Sequence, residues 1–155
     1  MAKTNSLVAR LQADFPEVTL VPGDDFYWSP RTKTVHYNEN TDGDGRITLL
    51  HELAHALLDH QQFKHDIDLL KIEREAWDYA KDVLGPRYNL SISEDTVEQM
   101  IDTYRDWLHA RSTCPSCSMT GVQTAEATYH CLGCSRNWKV NDARRCGLKR
   151  YSIKI

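Results

Sequence analysis

The run His51-Glu52-Leu53-Ala54-His55 sets two imidazoles four residues apart, with a carboxylate directly after the first. On a helix, residues four apart lie one turn apart on one face, so both rings can reach a single metal ion. A zinc held by two histidines and one further ligand keeps a position open for water and lowers that water's pKa towards about 7. Glu52, beside the ligands but not needed as one, is then placed to take the proton. Two solvated histidines on a surface helix would show the same spacing. The neighbours Ile47, Leu49, Leu50, Leu53, Ala54, Ala56, Leu57 and Leu58 argue against that, because so apolar a helix does not face water all round.

Such a zinc needs a third protein donor. Position 61 is Gln61, which excludes a third histidine six residues after His55. His60 would lie about 140° round a continuing helix from His55, so His60 and His65 read as solvated or capping residues. The next helix is expected over roughly 67–84, ended by Gly85-Pro86. Its apolar residues Leu69, Ile72, Ala76, Trp77, Ala80, Val83 and Leu84 define one face. Glu73 falls inside that stripe, roughly 45° from its centre, and Glu75 roughly 115° away. A carboxylate in a packed face is costly unless something positive meets it. Glu73 is therefore the preferred third ligand and Glu75 the second choice.

Cys114, Cys117, Cys131 and Cys134 form two Cys-x-x-Cys pairs separated by 13 residues. No leader for export is expected here, and without one this spacing reads as a zinc ribbon rather than a disulfide framework. Four thiolates complete a closed tetrahedral structural site, so the expected content is two zincs per chain, one catalytic and one structural. Two redox-active pairs are a poorer account, since no βαβ pattern surrounds either. Cys146 is left over as a small thiol. A further run, Asn40 to Thr48, follows the first nine positions of an EF-hand calcium loop, but its twelfth position is His51 rather than a bidentate Glu. A polar turn from Asn38 to Gly45 accounts for it better.

The elements that must position these groups can be read coarsely. Leu7, Val8, Leu11 and Phe15 follow Thr4-Asn5-Ser6 as a short capped helix stopped by Pro16. Three β-prone runs, 18–21, 26–28 and 34–37, are punctuated by Pro22-Gly23 and Ser29-Pro30. The metal helix is expected over roughly 46–60. A third helix begins near Ser93, with Glu94 and Asp95 in its first turn and an apolar stripe of Val97, Met100, Ile101, Tyr104, Trp107 and Leu108. The class is α+β: a small antiparallel sheet packed on a zincin-type helical core (1–111), followed by a small β-rich zinc ribbon (112–155). Charge divides the same way. Residues 1–111 carry twelve Lys and Arg against twenty Asp and Glu, a balance of −8, and 112–155 carry seven against two, a balance of +5. No apolar run approaches the roughly 18 residues of a membrane span, so no membrane association and a cytoplasmic location are expected.

The run Ile47 to Leu58 resembles the metal helix of the ImmA/IrrE-type zinc peptidases, and Glu73 to Leu84 is similar to that family's Glu-x-Glu-Ala-Asn-x-Phe-Ala segment. The resemblance covers about 33–84 and includes Thr34-Val35-His36-Tyr37-Asn38, where the family has an edge strand. Trp77 stands where the family usually has Asn or Asp, and Tyr79 replaces Phe. The family's members are gluzincin-like peptidases, often carried by mobile elements, and several cut a helix-turn-helix repressor. The resemblance thus implies a metalloprotease acting on a specific protein substrate, such as a transcriptional repressor. In that chemistry Glu52 is the general base, and His36, Tyr79 and Tyr104 are candidates to hold the oxyanion.

The resemblance does not reach the ribbon. Its Arg136, Lys139, Arg144 and Arg145, with Tyr129, Trp138 and Tyr151 interleaved, could engage nucleic acid by phosphate contacts and stacking. Docking of a protein substrate, or charges simply facing water, would use the same residues. Two rival functions remain at this level. An SprT-like DNA-associated protease also pairs this motif with a zinc ribbon but takes a third histidine downstream, and none lies between His65 and His109. A non-catalytic DNA-binding or adaptor protein would use both zincs structurally. Elemental analysis separates the cases: two zincs per chain falling to one in His55→Ala is expected, and one zinc in both proteins would leave only the ribbon metallated.

Overall fold

The computed structural model describes residues 2–39, 43–142 and 147–153. Helix α1 (Ala2–Asp14) buries Leu7, Val8 and Leu11 and stops short of Pro16, before which helical backbone is disfavoured. Three short strands follow: β1 (Thr19–Pro22), β2 (Tyr27–Ser29) and β3 (Thr34–Tyr37). β2 and β3 form a hairpin, with Trp28 opposite Val35 and Lys33 at φ 51° in the turn. β1 pairs with the other side of β3, Leu20 opposite Val35, and runs parallel to it, giving the order β1-β3-β2.

The sheet is therefore mixed rather than antiparallel throughout. The chain crosses from β1 to the far edge before turning back, so the returning strand fills the middle in the direction of β1. β3 is in consequence the central strand, not an edge strand. Its Val35 is fully buried beneath α2 (Gly43–Leu57).

Helix α2 starts earlier than its apolar pattern predicts. Gly43, Asp44 and Gly45 are already helical, with Asp44 in the first turn where the helix dipole favours a negative charge. Two thirds of the calcium-loop-like run, Gly43 to Thr48, is thus helix, and Asn40, Thr41 and Asp42 lie outside the described residues. The far end comes early too. The Asp59 N–H meets Ala56 O at 3.1 Å and the His60 N–H meets His55 O at 3.0 Å, with Asp59 at φ 52°. This is a Schellman motif with Asp in the position Gly usually takes.

Helix α3 (Asp66–Tyr79) passes into a π turn (Ala80–Leu84) and a short α4 (Gly85–Arg87), so Gly85-Pro86 does not end it. Pro is tolerated at the start of a helical segment because the N–H it lacks has no intrahelical partner there. The widened turn lets the Gly85 N–H reach Ala80 O. The chain leaves the helix at Asn89 (φ 55°), with the Leu90 N–H bonded to Gly85 O. Helix α5 (Glu94–Ser112) is capped by Ser93, whose Oγ accepts the Thr96 N–H at 3.1 Å.

By its internal contacts the chain forms two units, Met1–Gln62 with Ile72–Val97, and Phe63–Lys71 with Glu98–Ile155. These do not follow the expected division at 111–112, because most of α5 groups with the ribbon. The second unit contains a four-stranded antiparallel sheet in the order β4 (Val122–Ala125), β5 (Thr128–His130), β6 (Asn137–Val140), β7 (Arg150–Ile153). Tyr129 and Trp138 stack at 5.7 Å in its core. Trp138 Nε1–H donates to Arg111 O at 3.0 Å, while the Arg111 guanidinium and the Tyr129 hydroxyl both donate to the buried Asp66 carboxylate. A buried carboxylate satisfied from two elements holds them in one register, and removing Arg111 would leave its charge uncompensated.

One position in the first unit tests this account of the helix ends. A Cβ on Gly85 would sit 2.6 Å from Leu90 O, a backbone atom that cannot move aside. Gly85→Ala should cost about 1–3 kcal/mol as overpacking, read as a lower urea midpoint at unchanged slope.

Candidate metal centre

Leu49, Leu50, Leu53 and Ala54 of α2 are fully buried, and each such leucine contributes about 1.5–3 kcal/mol. That apolar burial carries the polar groups between them inside. His51 and His55 are buried, and from α3 Glu73 is buried against them. The Nε2 atoms of His51 and His55 are 3.1 Å apart. Glu73 Oε2 is 2.9 Å from the first and Oε1 3.2 Å from the second. Three donors on one tetrahedral zinc, with bonds of about 2.0–2.1 Å, stand about 3.3–3.4 Å from one another. The observed triangle is close to that. Glu73 Oε2 also lacks an aligned hydrogen-bond donor among the described residues, and His51 Nδ1, on the other side of that ring, lacks a partner as well. A buried carboxylate oxygen facing two imidazole lone-pair positions is what a cation would satisfy. The donor set, two imidazoles and a carboxylate, fits zinc.

Glu52 stands beside this triangle rather than in it, its Oε1 4.0 Å from His51 Nε2. Burial pushes its carboxyl above the usual range, with Glu73 adding to the rise, against the opposing pull of His51, His55 and the Trp28 backbone N–H. Burial would also raise Glu73, but the two imidazoles outweigh it and hold Glu73 well below the usual range. For His55, burial lowers and Glu73 raises, and the carboxylate prevails. Two glutamates 21 positions apart are thus driven in opposite directions: one towards holding a proton, the other towards staying ionised.

Of the two glutamates weighed as third donor, Glu73, the preferred one, meets the imidazole pair. Other residues differ from their sequence reading. His60 is buried rather than solvated, because the helix ends before it and the angular argument for a continuing helix does not apply. Its Nδ1 is 2.9 Å from His55 Nδ1, and its Nε2 is 3.0 Å from Glu75 Oε2. Trp77, in place of the family's Asn or Asp, stacks on the His51 ring at 4.1 Å. Trp28 also joins the site. It faces Glu52 through its backbone, and its indole Nε1–H donates to His60 O at 2.9 Å. Nothing in the sequence beyond an aromatic in a short strand marks it.

Of the oxyanion candidates, His36 stacks on Tyr27 at 4.2 Å, Tyr79 is the last residue of α3, and Tyr104 lies on α5.

The cysteines form a second cluster. Their four sulfurs lie within 4.8 Å of one another, the closest pairs being Cys117–Cys131 at 3.4 Å and Cys114–Cys134 at 3.6 Å. Each Cys-x-x-Cys makes the same turn. Ser118 (φ 65°) and Ser135 (φ 62°) return their N–H groups to Cys114 O and Cys131 O, at 3.0 and 2.9 Å. Backbone N–H groups of Ser116 and Cys134 point at the Cys114 and Cys131 sulfurs. Burial opposes ionisation of Cys114, but the N–H groups of Cys117 and Ser116 outweigh it and lower its pKa to about 6. The pairing of sulfurs across the two turns makes one four-thiol site, not two redox pairs. Of the basic candidates, Lys139 is exposed on β6 and Arg136 donates to Ser152 Oγ at 2.8 Å. Arg144, Arg145 and Cys146 lie outside the described residues.

Residues 15–116 match the peptidase family described as the IrrE N-terminal-like domain, Peptidase_M78, and the chain belongs to that family. The match extends beyond the resembling segment at both ends and stops within the first cysteine turn. Membership supports a zinc-dependent, protease-like function carried by a metallopeptidase domain, and the donor chemistry of both clusters agrees with zinc. No curated protein and no solved structure matches the chain. Among the described residues no helix is long and apolar enough to cross a membrane.

If the four thiols hold a structural metal, stripping it with a strong chelator should loosen the core around Tyr129 and Trp138. Near-ultraviolet circular dichroism should weaken and protease should cut beyond residue 113. An unchanged spectrum and an unchanged digest would show a ribbon that stands without metal.

Proposed function

We propose that the chain is a zinc-dependent endopeptidase in which His51, His55 and Glu73 are the metal ligands and Glu52 is the general base. The observation that carries this reading is the separation of roles between two buried carboxylates. Glu73 lies against both imidazole Nε2 atoms, whereas Glu52 sits to one side with its carboxyl pushed towards accepting a proton. A zinc ion bound by the three donors would supply a Lewis acid for the peptide carbonyl and a water of lowered pKa. Glu52 takes the proton from the attacking water and delivers it to the leaving amine nitrogen. The Trp28 backbone N–H, on the same carboxylate, holds it in place between these transfers.

Glu73 on α3 stands where an SprT-like protease would bring a third histidine, which favours the gluzincin-like arrangement. The four-cysteine cluster adds a second, structural zinc, and residues 112–155 act as a ribbon appended to the peptidase sequence. For the substrate, the family resemblance supports one specific protein, with a helix-turn-helix repressor the first to test. The exposed Lys139 and the positive balance of the ribbon support a role in recruiting that substrate or nucleic acid.

Glu52→Gln keeps the shape of the side chain and removes its basicity. The variant should retain wild-type zinc content and lose hydrolysis of a peptide library by about 100-fold or more. Hydrolysis at the wild-type rate would sink the mechanism. No hydrolysis by the wild type, with salt-dependent binding to DNA, would turn the assignment to the adaptor function.

A further inference from the structure

We propose that Glu75 and His60 form a positioning relay for His55, a chain of hydrogen bonds that sets which nitrogen of the His55 ring carries the proton. The inference rests on the reading of His55 as a zinc ligand through Nε2.

The relay is a product of the end of α2. Had the helix continued, His60 would lie well round its surface from His55. The Schellman motif instead folds the chain back, bonding the His60 N–H to His55 O and leaving the His60 ring against the His55 ring, centroids 5.1 Å apart. The Trp28 indole holds His60 from the other side through its carbonyl oxygen. His60 is only 9 % exposed, so its ring nitrogens depend on protein partners. Those partners are His55 Nδ1 at 2.9 Å and Glu75 Oε2 at 3.0 Å.

The proton positions follow from chemistry. An ionised carboxylate only accepts hydrogen bonds, so Glu75 requires a proton on His60 Nε2. In the neutral ring that leaves His60 Nδ1 bare, able only to accept. His55 must place its own proton on Nδ1 to meet it. That leaves the lone pair of His55 Nε2 free, directed at the position flanked by His51 Nε2 and Glu73. Each link selects the tautomer of the next, ending at the one a metal requires. With the opposite polarity His55 would carry its proton on Nε2 and could not bind a metal there.

The other ligand has no such chain. Among the described residues His51 Nδ1 lacks a hydrogen-bond partner, and its ring is held by stacking on Trp77. Among the described residues the two imidazoles are therefore oriented by different means, His51 by stacking and His55 by hydrogen bonding.

The test uses the full-length protein and zinc itself, with affinity measured by competition against a chelating indicator. The site concerned is the one lost in His55→Ala. His60→Leu fills the space without an acceptor and should weaken zinc binding there by about 10- to 100-fold. His60→Asn offers its Oδ1 where Nδ1 stood and should bind nearly as the wild type does. In nitrogen-15 NMR of the zinc-loaded wild type, the His55 Nδ1–H should be protected from exchange, and that protection should be lost in His60→Leu. Glu75→Ala changes a side chain that is 64 % exposed, so it tests the relay even if His60→Leu does not fold. It should lower affinity and speed exchange of the same proton. Wild-type affinity in His60→Leu or Glu75→Ala, or His60→Asn as weak as His60→Leu, would overturn the relay while leaving the zinc site standing. Full zinc content and affinity in His55→Ala would overturn the site and the relay together.

Discussion

A carboxylate inside an apolar helical layer is held there only if positive charge or strong donors meet it, and Glu73 is such a carboxylate. Its two oxygens face two imidazoles that α2 presents one turn apart, and among the described residues these are the groups that offset its desolvation. The arrangement of the first unit follows from that constraint. α2 must lie under β3 with Leu49, Leu50 and Leu53 packed so that His51 and His55 turn the same way. α3 must bring its own packed face, with Ala76 and Trp77, to the same place. The cluster is therefore built into the core rather than set on a loop above it, where packing keeps its side chains rigid.

Around that core the chain uses backbone terminations to place its supporting side chains. Asp59 in left-handed backbone ends α2 and returns His60 to His55. β2 at the edge of a mixed sheet brings Trp28 to Glu52 with its backbone and to His60 with its indole. Trp77 covers the ring of His51 where a smaller polar residue is usual in the family. The two histidines look equivalent in the motif, yet they sit in different surroundings, one stacked and one hydrogen-bonded.

The second unit solves a different problem. A short stretch of β structure has little apolar surface to bury, and its centre is Tyr129 and Trp138 beside two of the four cysteines. Metal binding by the cysteines would join the two turns that the sequence places 13 residues apart. The buried Asp66, satisfied by Arg111 and Tyr129, ties the start of α3 and the end of α5 to this sheet. That is why α5 groups with the ribbon by its contacts, although its sequence pattern continues the helical part of the chain.

Spacing alone picked out the groups that the fold gathers: His51, Glu52 and His55 at helical offsets, four cysteines in two pairs, and Glu73 inside an apolar stripe. These were legible because helical periodicity is local and a ligand pair or a buried charge leaves its mark within a single element. The mixed sheet, the early end of α2, the π turn that carries the chain past Pro86, and the roles of Trp28, His60 and Trp77 were not legible. Strand direction depends on which edge a later strand fills, and a helix end depends on whether a non-glycine residue is held in left-handed backbone. His60 shows the difference most plainly: read along a helix it points away from His55, and only the fold, by ending that helix one turn sooner, turns it back onto the ring.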